Sequence, residues 1–304
     1  MENQSDHKTS QWNILKLLTW TTSYFKSLKI ENPRAAAELL LAHTLDINRI
    51  DLYVNHDQPL SKKELDRFKA YIRRRARREP VAYIVGHKEF WSLDLIVNRD
   101  VLLPRPETEC LVEAVLCYLK QVADDSPVSE SQRVLELGTG SGAIIMALAV
   151  ERPGHVFFAS DISRRSVQLA RENSRRQGLD RQINYWVGNW FDALNPNSQK
   201  FDMIISNPPY IKTGEIAQLQ PEIHQYEPVH ALDGGEDGLF CLRQILSTAD
   251  SFLKNEGSIL LEIGHDQKDS VQEITDQCGT YGRVDFKKDY QGQDRVAIIR
   301  KGTP

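Results

Sequence analysis

Four consecutive residues, Asn207, Pro208, Pro209 and Tyr210, follow an apolar run and could hold a planar amino group. The Asn207 side-chain oxygen and the Pro208 carbonyl are both hydrogen-bond acceptors, in a segment that two prolines make rigid. An amide nitrogen is a poor nucleophile because its lone pair is delocalised, so both of its hydrogens need acceptors that fix its orientation. Tyr210 could cover the flat group. The motif predicts substrate binding by all four residues and catalysis by Asn207, Pro208 and Tyr210; the alternative is a simple turn.

A second motif places three glycines directly after a buried, strand-like run. Residues 134–142 read Val-Leu-Glu-Leu-Gly-Thr-Gly-Ser-Gly, and a helical pattern follows. Glycine allows a tight turn and a close approach of the backbone to a ligand. The third glycine comes two positions after the second, not three as in the dinucleotide fingerprint, and this spacing resembles class I methyltransferases. We predict that S-adenosylmethionine binds to Gly138, Thr139, Gly140, Ser141 and Gly142, with a tight strand-to-helix connection as the alternative.

Two later positions suit the nucleoside part of the same cofactor. Asp161 ends the next strand-like run, where a carboxylate can accept hydrogen bonds from two ribose hydroxyls. It could instead cap the helix that begins near Ser163. Asn189 and Trp190 follow the third run; the asparagine could meet the adenine edge and the indole could pack on the ring. Packing in the core is the alternative for Trp190.

The elements that carry these motifs alternate between strand-like and helix-like patterns from about residue 107 onwards. Such alternation predicts a doubly wound, Rossmann-like α/β sheet, in which parallel strands bring their carboxyl ends to one edge. The three groups of candidate residues would therefore lie together. In-line transfer of a methyl group needs no metal, so none is predicted.

The first part of the chain has a helical pattern instead. Apolar residues recur at helical spacing between about residues 11 and 78, and Ser61 with Glu64 fits a capping box that opens a helix running to Arg78. Aromatics and the alternation of Leu93 and Leu95 then suggest a hairpin. We predict a small helical bundle for substrate recognition (1–79), a linker hairpin (80–106) and a catalytic domain (107–304).

The composition narrows the function classes. A net charge of -4 argues against a surface built to neutralise nucleic-acid phosphates, so no stable nucleic-acid binding is expected. No apolar run approaches the roughly 20 residues of a membrane span, and residues 1–10 are polar. A cytoplasmic monomer without membrane contact is the expectation. Four widely spaced cysteines are predicted to be reduced packing residues: Cys110, Cys117, Cys241 and Cys278.

With these residues in view, the chain resembles the peptide-release-factor glutamine methyltransferases, often called PrmC or HemK, over most of its length. The resemblance lies in many ordered matches that accompany the glycine loop and the Asn207 motif. They are Pro80-Val81-Ala82-Tyr83 with Gly86, Glu89-Phe90-Trp91, Pro104-Arg105-Pro106-Glu107-Thr108-Glu109, Glu227-Pro228, Ala231-Leu232-Asp233-Gly234-Gly235, Asp237-Gly238-Leu239, Leu261-Glu262-Ile263-Gly264 and Asp294-Arg295-Val296.

The resemblance implies that the acceptor is the glutamine of a Gly-Gly-Gln tripeptide in class I release factors, bound where the helical domain faces the catalytic domain. It also implies S-adenosyl-L-homocysteine as the product. Carried over to this sequence, residues 138–142, Asp161, Trp190 and Asn207 contact the cofactor, and residues 207–210 contact the glutamine. Asn189 departs from the family, because many members have aspartate there.

Three other functions are weighed against this one. A ribosomal-protein glutamine methyltransferase would share both main motifs, although the segments 104–109 and 231–235 favour the release-factor branch. A nucleic-acid methyltransferase acting on exocyclic amines would need a basic groove or an added recognition region. A non-catalytic assembly factor would not need the Asn207 motif.

Other residues have two interpretations each. The cluster Arg73, Arg74, Arg75, Arg77 and Arg78 is either a solvated face or a docking site for an acidic release-factor surface. His224 and His230 are assigned to loop structure rather than to general-base catalysis. Glu107 and Glu109 either help close the substrate pocket or begin the following helix.

Overall fold

The computed structural model describes residues 12–125 and 131–302, so the polar start at residues 1–10 lies outside the described residues. Its helices are α1 (Ile14–Ser27), α2 (Pro33–Leu45), α3 (Asp51–Val54), α4 (Lys62–Ala76), α5 (Val81–Val85), α6 (Glu109–Asp125), α7 (Ala143–Glu151), α8 (Arg164–Arg176), α9 (Pro221–His224), α10 (Phe240–Ala249) and α11 (Lys268–Cys278). Its strands are β1 (His87–Phe90), β2 (Leu93–Ile96), β3 (Arg133–Leu137), β4 (Val156–Asp161), β5 (Ile183–Val187), β6 (Phe201–Ser206), β7 (Leu253–Glu262), β8 (Tyr281–Lys288) and β9 (Asp294–Lys301).

The described chain forms two compact units. The first contains the residues up to Gly86 together with Pro221–Tyr226, and the second contains His87–Gln220 and the residues from Glu227 onwards. The division at Gly86 falls inside the range 80–106 that was expected to link two domains. The predicted domain boundaries themselves stay predictions.

The first unit is a helical bundle around buried apolar side chains that include Phe25, Leu40 and Phe68. At the start of α4, Glu64 N donates to the Ser61 hydroxyl and Ser61 N donates to the Glu64 carboxylate, so the predicted capping box is present. Helix α4 ends at Ala76, two residues before the predicted end, because Arg78 has a left-handed backbone with φ of 70°.

The arginine cluster at the end of α4 matches the solvated-face interpretation only in part, because Arg73 and Arg77 are exposed whereas the other three arginines form ion pairs. Arg75 is 5% exposed and pairs with Glu222 of α9 at 2.8 Å, and Arg78 pairs with the same carboxylate at 2.7 Å. Arg74 pairs with Glu79. Three of the five guanidinium groups therefore hold segments of this chain, because a buried cation requires an anionic partner.

The second unit contains a seven-stranded sheet in the order β5-β4-β3-β6-β7-β9-β8. The first five strands are parallel, and β9 is antiparallel to both of its neighbours. From β3 the chain proceeds outwards to β5 and then returns to β6 on the other side of β3. This reversal creates a switch point at the carboxyl ends of β3 and β6, where ligands bind in such sheets.

Helices cover both faces of the sheet. Val134 packs in one buried cluster with side chains of α6, α7 and α8, whereas its neighbour Leu135 packs in another with side chains of α10 and α11. Alternate residues of a strand point to opposite faces, so an apolar strand such as β3 serves both clusters. The predicted doubly wound α/β fold with a small amino-terminal helical bundle is confirmed.

The range 80–106 is less uniform than predicted. The hairpin is present as β1 and β2, with Trp91 and Ser92 in its turn at positive φ. Before it, Val81–Val85 forms the short helix α5, which was not predicted because five residues are too few to display a helical period.

The composition led to expectations about the cysteines and about membrane-spanning segments. All four cysteines are free, but Cys117 is exposed, so it is not the packing residue that was predicted. None of the helices within residues 12–125 and 131–302 combines the length and apolar character needed to cross a bilayer.

Candidate active site

A cavity of about 260 Å³ opens at the carboxyl edge of the sheet, beside the switch point. Four successive parallel strands contribute to it: the glycine loop follows β3, Asp161 ends β4, Asn189 follows β5 and Asn207 follows β6. The predicted site residues that line the cavity are Gly138, Thr139, Gly140, Ser141, Asp161, Asn189, Trp190, Asn207 and Pro209. Within the described part of the chain, Gly142, Pro208 and Tyr210 are not among the lining residues.

Gly142 lies behind the cavity at the start of α7, with φ of 84°. A Cβ atom there would approach Ala170 Cβ and Met146 Cε to 3.2 Å each. The third glycine of the loop therefore allows close packing of the loop against α7 and α8, which is one of the purposes glycine serves in strand-to-helix turns.

Asp161 joins two parts of the cavity wall. One carboxylate oxygen accepts a hydrogen bond from Gly140 N at 2.9 Å, and the other accepts one from Ser163 N at 2.8 Å. The residue that caps α8 is Ser163, whose hydroxyl accepts from Ser166 N. Each carboxylate oxygen can accept more than one hydrogen bond, so Asp161 retains capacity for ligand hydroxyls. Burial raises the pKa of Asp161 above its ordinary value.

Trp190 has a strained backbone, with φ of 47°, and its side chain is half-buried beside the cavity. Its indole Nε1 donates a hydrogen bond to Gln244 Oε1 of α10 at 2.9 Å, which fixes the ring plane. A non-glycine residue in the left-handed region is uncommon and often marks a functional position. The ring is therefore held at the wall of the cavity, with Asn189 exposed next to it.

Asn207 is oriented by a residue that is distant in sequence. Its side-chain Nδ2 donates to the Thr108 hydroxyl at 3.2 Å. This bond leaves the amide oxygen of Asn207 as an acceptor for a ligand, because the amide nitrogen already has its partner. Thr108 also lines the cavity, whereas its neighbours Glu107 and Glu109 do not do so among the described residues.

The segment that follows Asn207 is held from two sides. Tyr210 donates its hydroxyl to Glu262 Oε1 at 3.2 Å, and its carbonyl accepts a hydrogen bond from Gln267 Nε2 at 3.0 Å. Gln267 Nε2 also donates to the Gly238 carbonyl at 3.0 Å. Gly234 N donates to the Ile211 carbonyl at 2.8 Å, which joins the segment to the loop before α10. The Asn207 motif is therefore a fixed turn rather than a free loop.

Comparisons with known proteins decide the family. The PrmC N-terminal domain matches residues 16–86, and a methyltransferase domain matches residues 129–302. The release factor glutamine methyltransferase of Geobacter sulfurreducens is 38% identical over 293 residues, 96% of each chain. That of Thermodesulfovibrio yellowstonii is 41% identical over 271 residues, 89% of this chain and 93% of the relative. The chain belongs to the release factor glutamine methyltransferase family.

Solved structures support the fold of this family member. A methyltransferase from Pyrococcus furiosus is 20% identical, with a TM-score of 0.50, over 75% of this chain and 98% of that chain. At this identity the likeness shows the fold alone. The prediction that the chain is an S-adenosylmethionine-dependent protein glutamine methyltransferase is confirmed at the level of the family.

The cavity fits, in chemical character, the S-adenosylmethionine that is expected as the cofactor. Backbone groups and glycines lie on one wall, a buried carboxylate that can accept hydroxyl groups lies at Asp161, and an aromatic ring lies at Trp190. These are the groups that a methionine moiety, a ribose and an adenine would need. Phe240, Cys241 and Gln244 of α10 also line it and were not predicted.

Several residues with open interpretations now have positions. Glu109 is the first residue of α6. Its carboxylate also accepts a hydrogen bond from Trp91 N at 3.1 Å and thereby supports the hairpin turn. His230 lines the cavity and is exposed, whereas His224 lies in α9 of the helical unit. Buried Glu227 pairs with Arg105 at 2.6 Å, which ties the segment before α6 to the loop after α9.

Glu136 lines the cavity and was not predicted from the sequence, although a carboxylate in an otherwise apolar strand was the available signal. It is fully buried at the cavity and accepts a hydrogen bond from the Thr139 hydroxyl at 2.5 Å. Burial, and to a smaller extent the nearby Asp161, raises the pKa of Glu136 to about 8.

The raised pKa of Glu136 predicts how stability depends on pH. The unfolded chain releases this proton near the ordinary pKa of about 4.3, whereas the native state keeps it up to about pH 8. Stability should therefore fall as the pH rises through this window, because the native state binds more protons than the unfolded state. For Glu136→Gln, which has no proton to lose, we expect a smaller decrease in Tm between pH 6 and pH 9 than for the wild type. Parallel Tm curves, measured by calorimetry without cofactor, would contradict this prediction.

Proposed function

We propose that this chain transfers the methyl group of S-adenosylmethionine to the side-chain amide nitrogen of the glutamine in the Gly-Gly-Gln motif of class I release factors. The observation that carries the proposal is the position of Asn207, which lines the same cavity as the glycine loop and Asp161. The names of the curated relatives support glutamine as the acceptor and release factors as the substrate.

The cofactor would be held by three groups of residues. Backbone groups of residues 138–141 would contact its amino-acid part, Asp161 its ribose and Trp190 with Asn189 its adenine. When bound, the cofactor supplies an electrophilic methyl group on a positively charged sulfur. The buried, largely apolar wall around Ile144 and Leu103 would keep water away from that group.

The acceptor amide would be held by the Asn207 motif. The Asn207 side-chain oxygen and the Pro208 carbonyl would each accept a hydrogen bond from one amide hydrogen, which orients the nitrogen and stabilises the positive charge that develops on it. The bond between nitrogen and methyl forms as the bond between sulfur and methyl breaks, and one amide hydrogen leaves as a proton. Rigidity of the segment matters because the nitrogen has to meet the methyl group in line.

Substrate recognition is assigned to the helical unit. The PrmC N-terminal domain match covers residues 16–86, which coincides with most of that unit. We expect the residues that line the cavity to determine which chemical group is methylated. We expect the helical unit to help determine which protein is bound as the substrate.

A transfer assay with labelled S-adenosylmethionine tests the proposal. The acceptors are a purified class I release factor, its variant with alanine in place of the Gly-Gly-Gln glutamine, ribosomal proteins, and RNA with DNA. We expect label on the intact release factor and none on its alanine variant. Label on ribosomal proteins alone would reassign the substrate, label on nucleic acid would contradict the amide acceptor, and equal label on the alanine variant would place the methyl group on another residue.

A further inference from the structure

Glu262 is a buried carboxylate beside the acceptor segment for which the steps above have no role. It is the last residue of β7 and is 1% exposed. One of its oxygens accepts the hydrogen bond from the Tyr210 hydroxyl at 3.2 Å. A carboxylate that is removed from water at this depth is costly unless its surroundings compensate, so its presence at the end of a strand needs an explanation.

The groups that face Glu262 come from three parts of the chain. Tyr210 belongs to the turn after β6 and donates its hydroxyl to Oε1, whereas the other carboxylate oxygen, Oε2, is buried without a hydrogen-bond partner among the described residues. Thr108 precedes α6, and its hydroxyl lies close enough to the carboxylate to lower the pKa of Glu262. Arg295 of β9 attracts the carboxylate, whereas Glu107 repels it. Burial is the largest influence and raises the pKa of Glu262 to about 7.

Thr108 connects Glu262 to Asn207. Its hydroxyl oxygen accepts a hydrogen bond from Asn207 Nδ2 at 3.2 Å, which leaves its own hydrogen free to be donated to Glu262. An ionised carboxylate only accepts hydrogen bonds, so it fixes the direction of this chain of bonds. Asn207 must then direct its side-chain nitrogen to Thr108 and its side-chain oxygen to the place where the acceptor amide would bind.

A neutral group at position 262 would remove this constraint. A protonated carboxyl can donate to the Thr108 oxygen, and the threonine hydroxyl could then turn its hydrogen towards Asn207. The Asn207 amide could in that case bind through its oxygen and present its nitrogen to the acceptor. A second NH2 group facing the acceptor amide would not accept its hydrogens.

We infer that Glu262 is a positioning residue for methyl transfer, which sets the orientation of the Asn207 amide through Thr108 and holds Tyr210 directly. The inference rests on the proposed function, because it assumes that Asn207 binds an acceptor amide. It assigns Thr108 the role of intermediary between Glu262 and Asn207.

The test compares Glu262→Gln, Thr108→Val and Thr108→Ser with the wild type and with Asp202→Asn. Asp202 is a partly buried carboxylate at the other end of β6, where it pairs with Lys254 and accepts from Arg133 N, away from the cavity. For each variant we would measure kcat and KM with the release factor between pH 6 and pH 9, Tm, and cofactor binding by titration calorimetry.

We expect Glu262→Gln and Thr108→Val to lower kcat by roughly tenfold to a hundredfold with little change in cofactor binding. Thr108→Ser, which keeps the hydroxyl, and Asp202→Asn should stay near the wild-type kcat. Wild-type kcat should fall as the pH decreases below about 7 and Glu262 becomes protonated, and this part of the profile should be flat in Glu262→Gln.

Three results would overturn the inference. The first is a wild-type kcat and pH profile in Glu262→Gln. The second is a loss of kcat in Thr108→Ser as large as in Thr108→Val, because the hydroxyl would then be irrelevant. The third is a loss of cofactor binding or of Tm that accounts for the loss of activity. A wild-type chain that labels no release factor would instead refute the proposed function, so the two failures are distinguishable.

Discussion

Asn207→Ala is expected to lower kcat for methyl transfer to the release factor by roughly a hundredfold to a thousandfold, the effect seen when one polar group that stabilises a transition state is removed. The variant loses the acceptor for one amide hydrogen, so the acceptor nitrogen is neither oriented nor stabilised as charge develops on it. Cofactor binding should persist, because the glycine loop, Asp161 and Trp190 line the cavity independently of this side chain.

The measurement pairs single-turnover methyl transfer with calorimetric titration of S-adenosylmethionine. Asn197→Ala is the matched control, since Asn197 lies exposed in the turn before β6 and does not line the cavity described here. Asn207→Asp adds a second comparison, because it keeps an oxygen but loses the Nδ2 donor to Thr108. Turnover of Asn207→Ala at the wild-type rate would refute its proposed role, and a complete loss of cofactor binding would show that it acts on the cofactor instead.

The sequence could predict the part of the site that follows from strand order. Gly138, Asp161, Asn189 and Asn207 each come directly after or at the end of an apolar run, and parallel strands bring such positions to one edge. The apolar runs that precede these positions are the strands β3, β4, β5 and β6. Local pattern and topology together therefore placed the parts of the cavity wall that follow β3, β4, β5 and β6.

The supporting contacts could not be predicted, because they join residues that are far apart in sequence. Thr108 lies 99 residues from Asn207, and Glu262 lies 52 residues from Tyr210. Arg78 and Glu222 are 144 residues apart, so the sequence displayed an arginine cluster without its partner. Each of these polar residues stands in a segment whose pattern already had a sufficient local explanation, such as the start of a helix or a solvated face.

The burial of individual polar residues could not be predicted from the sequence either. Glu136 and Glu262 both occupy strands, and the alternation of a strand does not reveal whether both faces of the sheet are covered. Only after the helices are in place does burial raise the pKa of each carboxyl well above its ordinary value. The raised pKa of each carboxyl is consequently a product of the packing.

Gly238→Ala should strongly lower both the stability of the protein and kcat, because the added methyl group would displace the Asn207 motif. Gly238 has φ of 77°, and a Cβ atom there would lie 2.5 Å from the Tyr210 carbonyl oxygen and 2.9 Å from Gln267 Nε2. The backbone at Tyr210 would have to shift and the bonds from Gln267 would lengthen. We expect a loss of about 2–4 kcal/mol in the free energy of unfolding, from overpacking and backbone strain together, and a large decrease in kcat.

Gly292→Ala separates these two causes. Gly292 has φ of 82°, but a Cβ atom there would meet nothing within 4 Å, so only the cost of the left-handed backbone remains, about 1–2 kcal/mol. Urea denaturation of both variants gives the difference between their free energies of unfolding, and this difference is the cost of the contact with Tyr210. Methyl-transfer assays under conditions in which both variants are folded give the effect of that contact on kcat. If both variants lost equal stability and Gly238→Ala kept wild-type kcat, the loop before α10 would not hold the Asn207 motif in place. A greater loss of kcat in Gly238→Ala, measured where both variants are fully folded, would mean that methyl transfer depends on how tightly this turn is held.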